Sequence, residues 1–100
     1  MKFVFYPLPG VDNDIADAAE WYESHQKGLG QKFIDDWEST VNYIISNPFS
    51  FSIKHKTFRY AYFKVFPYLI VYEIEKSLII AYSVTNAKRH PAKRSLRMRE

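Results

Sequence analysis

The chain has no cysteine, which excludes a disulfide framework, a thiol nucleophile and a thiolate metal site. It has only 3 glycines. Gly28-Leu29-Gly30 lacks the further glycine of a phosphate-binding loop and reads as a break between helices. The histidines, His25, His55 and His90, sit in separate loops without the close spacing of paired ligands, so neither a metal site nor a cofactor is expected. Ser52, Ser77 and Ser83 read as loop or strand residues, and no nucleophile elbow surrounds any serine. No apolar run approaches the roughly 20 residues of a membrane span. The segment Met1 to Pro9 lacks the apolar core and small-residue cleavage site of a signal peptide, so a cytoplasmic protein is the expectation.

What is present is an ordinary globular composition with an unusual share of rings. Hydrophobic residues make up 47% and charged residues 25%, which argues against wholesale disorder. The 100 residues suffice for one domain with one modest core, spanning 1–100. Aromatics account for 18% of them, and most must be buried or lie on a binding surface. Charge is divided unevenly along the chain. Residues 1–50 carry 3 Lys+Arg against 8 Asp+Glu, a net of −5, whereas residues 51–100 carry 11 against 3, a net of +8. An acidic half and a basic half suited to phosphates or to an acidic protein follow from that split, beside the simpler view that these charges solvate outward faces.

Residues 2–6 read as a short strand ended by Pro7 and Pro9, which cannot donate to a sheet ladder. Gly10 to Asn13 is a turn, with Asp12 or Asn13 as a candidate helix N-cap. Ile15, Ala18, Ala19 and Tyr22 recur at the spacing of one helix face, predicting a helix from Asp14 to about Ser24 with Asp14, Asp17, Glu20 and Glu23 around the outside. A second helix runs from about Gly30 to Ser46 on the stripe Phe33, Ile34, Trp37, Val41, Ile44 and Ile45, and Asn47-Pro48 stops it. Together these predict an αα-hairpin. Residues 49–57 read as a loop or irregular edge, and Phe58 to Val65 as a strand with aromatics on both parities. Phe66–Ile74 and Leu78–Val84 form a hairpin around Glu75-Lys76-Ser77. Residues 93–100 read as a mobile basic tail carrying Lys93, Arg94, Arg97 and Arg99. The predicted class is α+β: an N-terminal strand, an αα-hairpin packed on a small antiparallel sheet, and three C-terminal strands completing that sheet, with the first strand at an edge.

Several stretches, in this order, resemble the RelE/ParE superfamily of bacterial toxins from type II toxin–antitoxin systems. They are Asp-Ile-Ala-Asp-Ala-Ala-Glu-Trp-Tyr-Glu at 14–23, Gly-Leu-Gly-Gln-Lys-Phe at 28–33 and Ile-Ile-Ser-Asn-Pro at 44–48. Arg59, the Phe-Pro-Tyr-x-Ile-x-Tyr-x-Ile pattern at 66–74 and Lys-Arg-His-Pro at 88–91 follow. The resemblance covers nearly the whole chain. It implies a growth-inhibiting toxin, of the kind tied to plasmid stabilisation, neutralised by a cognate antitoxin in a possible hetero-oligomer. A basic, aromatic-rich surface suits an acidic amphipathic segment that folds on binding.

The two branches of that superfamily imply different chemistry. RelE-like members cleave mRNA on the ribosome, which needs groups that activate the 2′-hydroxyl, stabilise the phosphate and protonate the leaving oxygen. Such members carry an Arg after the Tyr that opens the strand at 68–74, where this chain has Leu69. Lysines expected on the preceding strand fall at Tyr60 and Tyr62, and no Tyr follows Tyr82. A variant catalytic set would have to come from Arg59, Lys88 and Arg89. The ParE-like branch, which poisons DNA gyrase by binding it, needs no such set, and the Trp-Tyr-Glu, Gly-Leu-Gly and Phe-Pro-Tyr segments look more like that branch. Many ParE-like sequences have a His at the end of the last strand where this chain has Asn86. The resemblance therefore implies a ParE-like toxin with Arg59, Tyr68, Asn86, Lys88, Arg89 and His90 as target- or antitoxin-binding residues. The alternatives are a RelE-like ribosome-dependent endoribonuclease or a non-toxic relative that binds antitoxin or nucleic acid. Arg59 has two readings: pairing with Glu20 or Asp36, or lying on the open sheet face with Lys88 and Arg89.

Overall fold

The computed structural model describes residues 2–88. Arg89, His90 and the basic tail at 93–100 lie outside the described residues.

Two helices and five strands follow one another as β1 (Val4–Pro7), α1 (Val11–His25), α2 (Leu29–Ser46), β2 (Ile53–His55), β3 (Phe58–Tyr62), β4 (Tyr68–Glu75) and β5 (Leu78–Asn86). The sheet order is β1-β5-β4-β3-β2. The α+β class therefore holds, and β1 occupies an edge as its prolines require. Two details of the sheet differ from expectation. A short extra strand, β2, stands where an irregular stretch was read. The sheet is also mixed, because β1 pairs with β5 in parallel, Val4 opposite Leu78 through Pro7 opposite Ala81. A parallel pair needs a long crossover, and the helical hairpin together with three strands supplies it.

The helices form for the reasons their periodicity gives, but they start differently. Neither Asp12 nor Asn13 caps α1. The cap is Gly10 in the left-handed region, with Asp12 and Asp14 in the first turn near the positive end of the helix dipole. The α2 cap, Gly28, is also left-handed (φ 93°), and a glycine at either cap brings no side chain to bond the helix start. The missing partner comes from the other helix. Glu23 of α1 accepts N–H bonds from Gly28 at 3.1 Å and Gly30 at 2.9 Å, so one carboxylate satisfies the exposed start of α2 and pins the hairpin. At Gly30 the helices touch: a Cβ built there would stand 2.8 Å from the Ala19 carbonyl oxygen.

Both helices cover one face of the sheet. Val11, Ile15, Phe33 and Ile44 pack there against Ala61, Ile70, Tyr72, Ile79, Ala81 and Val84. Burial of each large side chain contributes roughly 1.5–3 kcal/mol. Two polar groups enter this layer with partners. Tyr72 donates its hydroxyl to the Pro48 carbonyl at 2.7 Å. Asp36, only 6% exposed, accepts N–H bonds from Lys64 at 3.3 Å and from Val65 and Phe66 at 2.9 Å each, fixing the loop between β3 and β4.

The opposite face carries a smaller cluster of Tyr60, Leu69, Val71 and Ala87, flanked by Phe58. One extra residue in β5 makes these two faces compatible. Val71 pairs with Ser83 but Tyr72 pairs with Ala81, leaving Tyr82 as a bulge. Its ring stands edge-on to Phe58 at 4.9 Å.

Candidate functional site

The C-terminal end of β5 and the N-terminal end of β4 meet α1 at an open cleft of about 560 Å³. Its lining includes Asp14, Asp17 and Trp21 from α1, Tyr68 from β4 and Thr85 and Asn86 from β5. The spacing of Asp14, Asp17, Ala18 and Trp21 places these side chains on one helix face. Sequence reading treated the two aspartates as solvating exterior, and the i, i+3, i+7 relation to an exposed Trp was the signal that could have marked them.

Trp21 is 55% exposed and is braced from one side by His25, whose ring centroid lies 3.9 Å away. His25 is held in turn by the Trp21 carbonyl, 2.8 Å from its Nδ1. Deeper in, Tyr22 and Tyr68 belong to a ring cluster in which Tyr68 meets Phe33 edge-on at 5.0 Å and Tyr22 meets Phe66 at 4.6 Å. Burial, and then the neighbouring Tyr68, push the Tyr22 phenol above its ordinary value. The cleft thus has a rigid aromatic floor, an acidic wall and a wall of strand-end polar groups.

Of the residues singled out in the sequence, Tyr68 and Asn86 line this cleft, and Lys88 follows two residues after Asn86. Tyr68 and Asn86 are direct partners across β4 and β5. Asn86 folds back to accept the Lys88 N–H at 2.9 Å, closing an Asx turn that sets where the chain leaves the sheet. Arg59 is elsewhere. It pairs with Tyr72, four residues along β4 from Tyr68, which is about 13 Å at strand rise. Its guanidinium donates to the Phe51 carbonyl at 2.6 Å and lies 5.3 Å from the centre of the Phe49 ring. Both readings of Arg59 therefore need correction. Asp36 is occupied by loop amides, and Tyr72 lies on the helix-covered face rather than the open one. Arg59 ties the connection between α2 and β2 to the sheet.

Leu69 is fully buried in the outer-face cluster, with Thr85 opposite it on β5 and Tyr62 opposite it on β3. Tyr60 is also buried there. Among the described residues, no group of three or more His, Cys, Asp or Glu is placed to hold a metal ion. No helix among them is long and apolar enough to cross a membrane.

A mixed sheet with a helical hairpin on one face defines a known architecture. A solved structure, described as the chromosomal ParDE toxin–antitoxin system from P. aeruginosa, shares it with a TM-score of 0.74 at 10% identity, over 85% of this chain and 96% of that one. That likeness gives the fold alone. Comparison with curated protein sequences gives no match. The family model for the ParE toxin of the type II toxin–antitoxin system, parDE, matches residues 8–91. The chain belongs to the ParE toxin family.

Proposed function

We propose that this protein is a cytoplasmic toxin that arrests growth by gripping a cellular target, DNA gyrase first among the candidates, and that a cognate antitoxin neutralises it by covering the same surface. The observation that carries this reading is the burial of Leu69. The strand position where a ribonuclease of the superfamily would present an arginine is closed inside an apolar cluster with Tyr60 and Val71. A side chain with no solvent exposure reaches no phosphate.

The surface left for a partner centres on the cleft by Tyr68, Asn86 and Lys88, continued by Arg89 and His90 in the sequence. Rigid rings and strand-end polar groups favour protein recognition, because ordered aromatics bring contact area at small entropic cost. Arg59 has a supporting part here: its bonds to the Phe49–Phe51 backbone hold the fold around β2.

The test is inducible expression in bacteria, with and without the neighbouring open reading frame, followed by a supercoiling assay with purified gyrase. Growth arrest relieved by the neighbour, with loss of supercoiling, is the expected result. Unhindered growth overturns the toxin reading. Codon-associated mRNA cleavage in arrested cells, read by primer extension, overturns the binding mechanism in favour of a nuclease. Lys88→Ala is expected to weaken toxicity at unchanged Tm, whereas Arg59→Ala is expected to lower stability by about 1.5–3 kcal/mol, the range for hydrogen bonds to a charged donor.

A further inference from the structure

The outer face of the sheet, turned away from both helices, is covered more deeply than an open face allows. A sheet with one face in water carries polar or half-exposed side chains there. Leu69 nevertheless has no exposure and Tyr60 only 7%, with Val71 and Ala87 buried beside them. Neighbours within the sheet do not account for this. Tyr62 and Tyr82 stand on the same face and remain 46% and 39% exposed, so a ring flanked by strand neighbours stays in water. Tyr60 pairs with Val71, too small a side chain to roof a phenol ring, and on its other side β2 reaches no further than Arg59. Phe58 sets its ring against Tyr82 instead. No described helix or strand passes over the cluster. The loop between β3 and β4 is drawn toward the helices by Asp36.

The chain beyond Lys88 starts in the right place to supply the cover. Ala87 belongs to the cluster and donates its N–H to the Pro67 carbonyl at 2.7 Å, and the Asn86 side chain turns the backbone at Lys88. Tyr60 lies two strands from β5, across Val71 and Ser83. Strand spacing and rise put it about 16 Å from Ala87. An extended chain crosses that distance in about five residues. Those residues are Lys88 to Ala92, and His90-Pro91-Ala92 among them holds no Lys, Arg, Asp or Glu. Lys93 and Arg94 follow. Further along β4, Glu73 and Glu75 alternate with Leu69 and Val71 on this same face, and both act on the Tyr82 phenol. Apolar stretch meets apolar cluster, and cations then meet carboxylates.

We propose that residues 89–94 fold back over the outer face of the sheet as a strap, with His90-Pro91-Ala92 covering Leu69 and Tyr60 and with Lys93 and Arg94 set toward Glu73 and Glu75. Tethering two residues from Asn86 favours this segment over any free one, since a short flexible link supplies an effective concentration of about millimolar. A partner that takes hold of Arg89 or His90 must lift the strap and uncover the apolar cluster in doing so. The strap is a contact within this chain, so its failure would leave the toxin reading untouched.

NMR of the full-length protein tests it directly. Nuclear Overhauser contacts are expected from the Tyr60 ring and the Leu69 methyls to His90, Pro91 and Ala92. Trypsin gives a second readout on the same protein. The bonds after Arg89 and Lys93 are expected to be cut about tenfold more slowly than in a free peptide of residues 87–100, because cutting follows the population of the lifted strap. Ala92→Asp presses an unpaired carboxylate onto the apolar cluster and is expected to restore most of the peptide's rate. Absence of the Overhauser contacts, parent protein cut as fast as the peptide, or an Ala92→Asp chain cut like the parent each overturns the proposal. So do contacts that vanish on dilution, which would make the cover a second copy of the chain.

Discussion

Two carboxylates, Asp36 and Glu23, do the same chemical job in different surroundings. Each reaches from a helix to accept backbone N–H bonds that nothing else satisfies. Glu23 takes amides five and seven residues ahead, at an exposed helix start. Asp36 takes amides 28 to 30 residues ahead, in a loop that ends in the buried Phe66. One ties together a hairpin that its own short connection would hold anyway. The other joins the helical layer to the sheet. Burial and sequence separation, rather than the type of bond, decide how much of the fold depends on each.

Mutations can break that contrast in order of expected size. Asp36→Ala leaves loop amides without partners at roughly 1–3 kcal/mol for each buried one, so a loss of about 3–5 kcal/mol is expected in denaturant unfolding. A loss below 1 kcal/mol would mean the loop finds other acceptors. Gly30→Ala is next, since its Cβ meets a backbone oxygen that cannot swing aside. About 2–3 kcal/mol is expected from separating α1 and α2, read as a fall in Tm, and an unchanged Tm would show the helices free to part. Tyr72→Phe removes the neutral counterpart of these anchors and strands the Pro48 carbonyl, an expected 1–2 kcal/mol on the order of one buried hydrogen bond.

The same tyrosine gives a pH signature. Burial raises its phenol to about 12 from 10.0. Its contribution is therefore complete below pH 10 and lost as pH rises toward 12, and Tyr72→Phe should remove that part of the alkaline loss. Glu23→Gln is expected to be the mildest change, visible mainly in acid. The Gly28 and Gly30 N–H groups hold the Glu23 carboxyl below its ordinary 4.5. Its contribution is present above pH 4.5 and fades as pH falls through the lowered folded value. Parent and variant melting temperatures should converge there, and divergence on acidification would put the carboxylate elsewhere.

The helices and the two long C-terminal strands were legible because their signal is local. Ile15, Ala18 and Tyr22, or Phe33, Trp37 and Ile44, betray a helix face by spacing alone. Asp36 was hidden for the opposite reason: its partners are backbone atoms 28 to 30 residues away, and among Asp35 and Glu38 it looks like one more solvated charge. Gly30 read as a break because sequence does not reveal that Ala19 presses against it. For the candidate site, Tyr68 and Asn86 were singled out through family motifs, and both line the one cleft because strand pairing sets them side by side. Arg59 was misplaced because strand parity was obscured by rings on both faces. The acidic wall of the cleft was read only as solvation.

The bulge at Tyr82 sets a limit on how this chain can change. Before it, Ile79 and Ala81 face the helices; after it, Val84 and Asn86 do. Straightening the bulge with no residue lost would leave every later side chain chemically intact and turned the wrong way, with Val84 and Asn86 outward and Thr85 inward. Loss of Tyr82 itself would restore plain alternation and keep the later side chains on their faces. Related chains that keep this cleft should therefore carry either this bulge or a strand one residue shorter here.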